Sequence, residues 1–168
     1  MRTRAMQVLD RAGIAYTVRV FQEEELGADE VAEKLGLPLA QVFKTLVVRG
    51  DRSGVILACL PGTMTLSLKA MARASGNKQV ELVDTDEILR LTGYLRGGVS
   101  PLGGKKAHPV FLDESALGQP LLSISAGMRG LQIFLAPDAL VRACRATVAA
   151  IGEPAGSNGP PQRKRHEG

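Results

Sequence analysis

Residues 42–60 read VFKTLVVRGDRSGVILACL, and the architecture turns on them. Val42 to Val48 alternates as a strand does, with Val42, Lys44, Leu46 and Val48 on one face and Phe43, Thr45 and Val47 on the other. Gly50 to Gly54 supplies a turn and VILACL returns, so the segment predicts a hairpin with a short loop. Both strands are apolar on both faces, which places them at the covered centre of a sheet. Lys44 is the one charge on its face. A strand lysine can lay its stem along the core and put its ammonium in water at a sheet edge, where it also discourages edge pairing. It can equally be a cation held at the rim of a pocket, meeting an anion or a carbonyl oxygen. Both readings stand at this point.

The next informative stretch is GYLRGGVSPLGGKK, residues 93–106, with glycine at 93, 97, 98, 103 and 104 and Pro101 between them. That density defeats both helix and regular strand. Backbone N–H groups without neighbouring side chains can approach a ligand directly, and several pointing inward form a nest for negative charge or a polarised carbonyl. A long surface loop of tight turns has the same composition. SAGMRG (125–130) is a second glycine turn, set between strands predicted over 121–124 and 131–135.

Around these stretches the pattern predicts a helix over Met1–Ala12 stopped by Gly13, and a strand over Ala15–Phe21. Glu23, Glu24 and Glu25 read as an acidic loop. A helix begins at Ala28 and ends at Gly36, followed by a helical turn at Leu37–Leu39. Ser67 caps a helix that stops at Gly76. A short strand follows at 80–83, then a helix from Asp84 to Leu91 with Asp84 and Glu87 in a capping-box arrangement. A strand is expected at 110–113, a loop or helical turn at 114–119, and a last helix from Pro137 with Ala139, Leu140, Ala143 and Thr147 on one side. Residues 153–168 are rich in proline, glycine and charge and predict a disordered tail, leaving a folded body of 1–152.

The chain has 168 residues, 45% apolar and 23% charged, which fits one soluble globular domain. Cys59 and Cys144 lie far apart with no metal-binding spacing, so each reads as a small buried hydrophobe. No signal peptide and no membrane span is expected, and cytoplasm is the default. A net charge of +4 is a mild excess, and aromatic residues make up only 4%. That argues against a DNA-packaging protein and against serial base stacking; any nucleic-acid contact should be local and to phosphates.

Most catalytic chemistries lack their residues. The two histidines are His108 and His166, so a Ser-His-Asp triad is poorly supported. GVSPLG around Ser100 fails the nucleophile-elbow pattern at Leu102. GGKK is not a P-loop, and GYLRGG follows a predicted helix, unlike a dinucleotide fingerprint. What remains is one unusual lysine, two glycine turns carrying Ser100 and Ser125, and scattered cations. That inventory suits positioning and oxyanion stabilisation better than acid, base or metal chemistry.

VFKTLVV, GYLRGGVSPLGGKK and SAGMRGLQI, in this order and at these separations, resemble the YbaK/ProX family of aminoacyl-tRNA deacylases, which includes the editing domain of bacterial prolyl-tRNA synthetases. ADEVAEKLGL before the lysine strand is similar too, and the resemblance covers roughly residues 1–150. It implies a mixed α+β single domain, with a curved, mostly antiparallel mixed sheet flanked by short helices. It also implies hydrolysis of mischarged tRNA in trans without metal or cofactor. The GYLxGGxSPLG form is closest to the branch acting on Cys-tRNA(Pro), in which the substrate's thiol attacks its own ester. By this resemblance Lys44, Gly97 and Gly98 are the catalytic positions. Phe21, Thr45, Tyr94, Ser100, Ser125 and Gly127 would bind substrate, and Lys69, Lys105, Lys106 and Arg129 would meet tRNA phosphates. Mischarged tRNA(Pro) is the implied partner, with prolyl-tRNA synthetase joining in a ternary complex; neither membrane nor DNA is. Gln132 stands where many relatives of this branch carry an acidic residue, and Phe21 where they carry an aromatic hydroxyl. Those departures keep a deacylase for alanine or serine in view, as the missing acid and base keep a non-catalytic tRNA- or synthetase-binding module.

Overall fold

The computed structural model describes residues 2–21 and 27–155. α1 (Arg4–Ala12) starts at Thr3, whose hydroxyl accepts from Met6 N at 3.2 Å, and ends at Gly13. β1 (Thr17–Val20) follows, then α2 (Ala28–Leu35), with Asp29 and Glu30 in its first turn where the helix dipole favours them. A single 3-10 turn, Leu39–Gln41, leads into β2 (Phe43–Gly50), which pairs antiparallel with β3 (Gly54–Pro61) from Phe43↔Pro61 to Gly50↔Gly54. The predicted hairpin is therefore present along its full length.

β4 (Met64–Leu66) precedes α3 (Leu68–Ser75), capped by Ser67, whose hydroxyl accepts from Ala70 N at 3.1 Å. β5 (Val80–Leu82), α4 (Ile88–Thr92), β6 (Val110–Asp113), β7 (Leu122–Ser125), β8 (Leu131–Leu135), α5 (Pro137–Cys144), β9 (Thr147–Ala149) and β10 (Gly152–Pro154) complete the order. The strands form a five-stranded sheet β5-β2-β3-β6-β9, a three-stranded sheet β1-β8-β7 and the pair β10-β4. β6 runs parallel to both β3 and β9, and the other pairings are antiparallel. A parallel bridge, Val42↔Ser123, joins the two larger sheets at the start of β2. The mixed α+β class and the mostly antiparallel mixed sheet are as expected.

β2 and β3 are covered on both faces. Phe43, Val47, Leu57 and Cys59 pack with Leu112, Ile124 and Ile133, while Leu46, Val48, Ile56 and Leu60 pack with Leu66 and Met71. At about 25 cal/mol per Å² of apolar surface removed from water, such two-sided burial is the main source of stability. The hairpin turn is fastened by Asn77, whose Oδ1 accepts from Arg52 N (2.8 Å) and Ser53 N (2.9 Å). No helix among the described residues is long and apolar enough to cross a membrane.

Four local expectations need correction. The first helix begins at Arg4, because Thr3 supplies a cap. Asp84 and Glu87 do not complete a capping box: the Asp84 side chain makes no cap bond, Thr85–Glu87 is a 3-10 turn, and the Glu87 carboxylate, besides the Asp84 backbone, takes Arg49 (2.9 Å) and Arg90 (2.8 Å). The last helix stops at Cys144; Thr147, expected on its apolar side, pairs with Phe111 as the first residue of β9. A parallel partner strand here overrides helical spacing. Glu153 and Pro154, assigned by composition to the tail, instead pair with Thr65 and Met64. The buried Asp113 carboxylate holds the chain there, accepting from Ile151 N (3.0 Å) and Gly152 N (2.9 Å). Residues 156–168, the rest of the predicted tail, and the acidic stretch Glu23–Glu25 lie outside the described residues.

Candidate active site

Strand parity assembles one polar face. Val42 and Ser123 are paired by the parallel bridge, so two residues on, Lys44 and Ser125 share the same side. Ser125 pairs with Gln132 on β8, and Gln132 with Arg19 on β1. Ser123 donates to Gln132 Oε1 at 2.8 Å. Lys44, Ser123, Ser125 and Gln132 are 6%, 1%, 3% and 4% exposed, so this polar row is almost wholly removed from water. A snorkelling lysine reaches bulk solvent; Lys44 does not, and the edge reading of it fails. A buried cation is costly and is kept where something compensates it.

The glycine segment is not a surface loop either. Residues 93–106 form neither helix nor strand, as predicted, yet residues 97–102 are buried. Tyr94, 6% exposed, donates its phenol to Leu102 O, and Lys105 N donates to Thr92 O at 2.8 Å. The segment is thereby folded against the 125–130 turn at two glycines. A Cβ on Gly98 would lie 3.2 Å from Arg129 N, and one on Gly127, at φ +96°, would lie 2.8 Å from the Tyr94 ring. Both glycines serve by leaving room for close approach.

The amides of this segment divide. Gly98 N donates to Leu95 O at 2.9 Å, so the expected oxyanion donor at that position is engaged in a turn. Gly97, Val99 and Ser100 meet no amide acceptor among the described residues. Buried amides are ordinarily paired, so these three are the segment's candidates for a ligand oxygen.

Other expected site residues have structural employment. Thr45 points to the opposite face from Lys44, its hydroxyl 3.5 Å from Cys59 Sγ, because adjacent strand residues alternate. Tyr94 is a bolt across the glycine segment, and burial pushes its phenol up to about 12. The Ser100 hydroxyl accepts from Leu102 N (3.2 Å) and that of Ser125 from Gly127 N (3.1 Å), each shaping its own turn. Phe21 packs with Val42 and Val31 over the start of β2, its amide donating to Gly130 O. Arg129 donates from Nε to Arg96 O at 2.6 Å, tying the two glycine turns together. Lys105 and Lys106 are exposed on the glycine segment, whereas Lys69 sits on α3, packed against β5 at one edge of the large sheet. Burial pushes the Cys59 thiol to about 12 and the Cys144 thiol to about 11, so neither is a ready nucleophile at neutral pH.

Ser123 was not singled out from sequence, though the alternation in LSIS marks it beside Ser125 as plainly as it marks Leu122 and Ile124 for the core. A cavity of about 760 Å³ between α1 and β1 is lined also by Phe21 and the 128–130 turn, and by none of Lys44, Ser123, Ser125 and Gln132. Lys44 offers a buried ammonium, and the amides of Gly97, Val99 and Ser100 are donors without a described acceptor; both kinds of group suit an oxyanion.

Comparison with known proteins identifies the family. A family model described as an aminoacyl-tRNA editing domain matches residues 22–143. The protein EbsC of Enterococcus faecalis, whose assigned role is Cys-tRNA(Pro)/Cys-tRNA(Cys) deacylase, is 41% identical over 152 residues, covering 89% of this chain and 93% of that one. A proline–tRNA ligase of Trichlorobacter lovleyi is 31% identical over 102 residues, 61% of this chain but 18% of the ligase. Among solved structures, a protein assigned as a trans-editing enzyme for prolyl tRNA synthetase superposes with a TM-score of 0.81 at 28% identity, over 89% of this chain and 95% of that one. The polar face around Lys44 thus lies within the matched region, and the chain belongs to the aminoacyl-tRNA editing domain family.

Proposed function

We propose that this aminoacyl-tRNA deacylase acts in trans on mischarged tRNA(Pro), and that cysteine is the amino acid it removes. The observation that carries the reading is Lys44, a cation at 6% exposure on a face shared with Ser123, Ser125 and Gln132. In such a site a fixed positive charge acts on developing negative charge far more strongly than in water. The substrate supplies its own nucleophile: the cysteinyl sulfur bonds to the ester carbonyl carbon, and the bond from that carbon to the ribose oxygen breaks. The thiol proton ends on the released ribose hydroxyl, and water then opens the thiolactone. The carbonyl oxygen, negative in the intermediate, is met by Lys44 and by the amides of Gly97, Val99 and Ser100. No protein acid or base is required. Selection of tRNA(Pro) through a ternary complex with prolyl-tRNA synthetase belongs to the same proposal, since a net charge of +4 gives little electrostatic grip on RNA.

Gln132 favours a second reading. Its amide is bonded to Ser123, so this face holds no carboxylate at position 132 to pair with a substrate ammonium. A deacylase for alanine or serine fits a face with an uncharged side chain at that position. A panel of tRNA(Pro) charged with cysteine, alanine or serine separates the two. Cysteine should leave fastest, and Lys44→Ala should slow release about 100- to 1,000-fold, as loss of an oxyanion donor does. Serine released as fast as cysteine would end the self-cleavage mechanism and leave the small-amino-acid deacylase. Binding without release above the spontaneous rate would make the chain a tRNA-docking module.

A further inference from the structure

A second cavity, of about 450 Å³, is lined by residues 100–104 of the glycine segment, and none of Lys44, Ser123, Ser125 and Gln132 lines it. Leu57, Leu102 and Val110 give it an apolar lining, exposed 5%, 1% and 4%. Lys106, His108 and Arg145 also line it, and no carboxylate among the described residues does. Lys106 and Arg145 are exposed, and neither pairs with an acidic side chain among the described residues. His108 Nε2 lies 3.0 Å from Leu91 O, an oxygen that only accepts, so this nitrogen carries the proton and Nδ1 is left for another partner.

The backbone adds an independent observation. Arg145 has φ 53° and is the one non-glycine residue with positive φ among the described residues. α1 to α4 all end on left-handed glycines, at Gly13, Gly36, Gly76 and Gly93; α5 alone ends on a left-handed residue that carries a side chain. A Cβ is disfavoured in that conformation, and glycine is the usual residue there. What arginine adds over glycine is a guanidinium, and here it stands at the mouth of a cavity rich in cations.

We propose that this cavity binds a nucleoside phosphate, with the base against the apolar lining and the phosphate between Lys106 and Arg145. A guanidinium fork and a lysine ammonium both suit phosphate oxygens, and a base offers two apolar faces with polar edges. A free nucleotide and a nucleotide within an RNA strand present the same chemistry. The RNA source rests on the deacylase reading; the free nucleotide does not.

Calorimetric titration with AMP, adenosine, inorganic phosphate and uncharged tRNA tests this on the full chain, on Arg145→Gly and on Lys106→Ala. Glycine takes the left-handed conformation without strain, so Arg145→Gly should melt at or above the wild-type temperature, and any loss of binding is then not loss of fold. AMP should bind more tightly than adenosine or phosphate alone, and each substitution should weaken it about tenfold, as loss of a charge-assisted hydrogen bond does. If the ligand comes as RNA, the same substitutions weaken uncharged tRNA instead and lower the salt slope of binding by about 0.7 to 0.9 per lost phosphate contact. AMP and tRNA affinities unchanged in both variants would overturn the proposal, as would a wild-type chain that binds neither. Ester release is measured separately, so a chain that binds the nucleotide but releases no amino acid refutes the deacylase reading and leaves this site standing.

Discussion

The β2–β3 hairpin and the glycine segment 93–106 meet in the same fold but are specified in opposite ways. The hairpin is held by what its side chains fill: Leu46, Val48, Ile56 and Leu60 pack one face, Phe43, Val47, Leu57 and Cys59 the other. The glycine segment is held by what its residues leave empty, with Gly98 against the backbone of Met128 and Arg129, and Gly103 against that of Arg4. In one region removing atoms should do the harm, and in the other adding them. Lys44 belongs to the first region, a buried charge in an otherwise apolar strand on the face it shares with Ser125.

The largest expected effect on stability is in the hairpin. Ile56, 1% exposed and paired with Val48, should lose about 2–5 kcal/mol of folding stability on Ile56→Ala, the range for large-to-small changes in a packed core. Urea unfolding measures it, and deacylation per folded molecule should be nearly unchanged. A collapse of activity in still-folded protein would show that the hairpin does more than support Lys44. The converse change is Gly127→Ala, one methyl added at φ +96° with the Tyr94 ring 2.8 Å away. Strain of this kind costs about 1–3 kcal/mol. Here activity should fall more steeply than stability, because the 125–130 turn that carries Ser125 must move. Equal, small losses in both would mean that the turn tolerates displacement and that the comparison is overdrawn.

Tyr94→Phe probes the segment's fastening with no change in shape. It deletes the phenol that donates to Leu102 O and leaves that buried carbonyl short of a donor, at a cost of about 1–3 kcal/mol. Faster hydrogen exchange confined to 94–102 is the expected signature, against uniformly faster exchange if the phenol merely adds to global stability.

The same contrast explains what the sequence disclosed. Alternating apolar residues made the hairpin legible, since period-two patterning reports burial directly, and terminal glycines marked the ends of α1 to α3. The polar face was legible in part: Lys44 stood out against Val42 and Leu46, and three ordered motifs pointed to the family. Which amides of 93–106 are engaged was not legible, because N–H geometry in a glycine segment leaves no pattern in residue identity. Alternation already set Thr45 on the face opposite Lys44, but that its hydroxyl meets Cys59 Sγ and that the Tyr94 phenol meets Leu102 O depend on which segments come together in the fold. β4, β9 and β10 are three residues each, and they form because partners from distant parts of the chain arrive, Asp113 holding Ile151 and Gly152 for β10. No local window contains that information.

One surface contact ties the two regions and gives the smallest expected effect. Arg49, near the end of β2, donates to Glu87 at 2.9 Å, and Glu87 stands one residue before α4, the helix that delivers the chain to the glycine segment. Hydrogen bonding from the Arg49 guanidinium holds the Glu87 carboxyl below the ordinary glutamate value. A folded-state pKa lowered in this way contributes stability that is present above the unfolded value, about 4.3, and is lost as pH falls through the folded one. Glu87→Gln should therefore be slightly less stable than wild type at pH 7, and the gap should close as the pH is lowered below about 4.3. Because both side chains are partly in water, the gap should also shrink in high salt. Urea midpoints for both proteins at pH 7 and pH 3 provide the check. A gap that persists unchanged at pH 3 would assign the loss to packing at the start of α4, and the hairpin and the glycine segment would then be joined by shape alone.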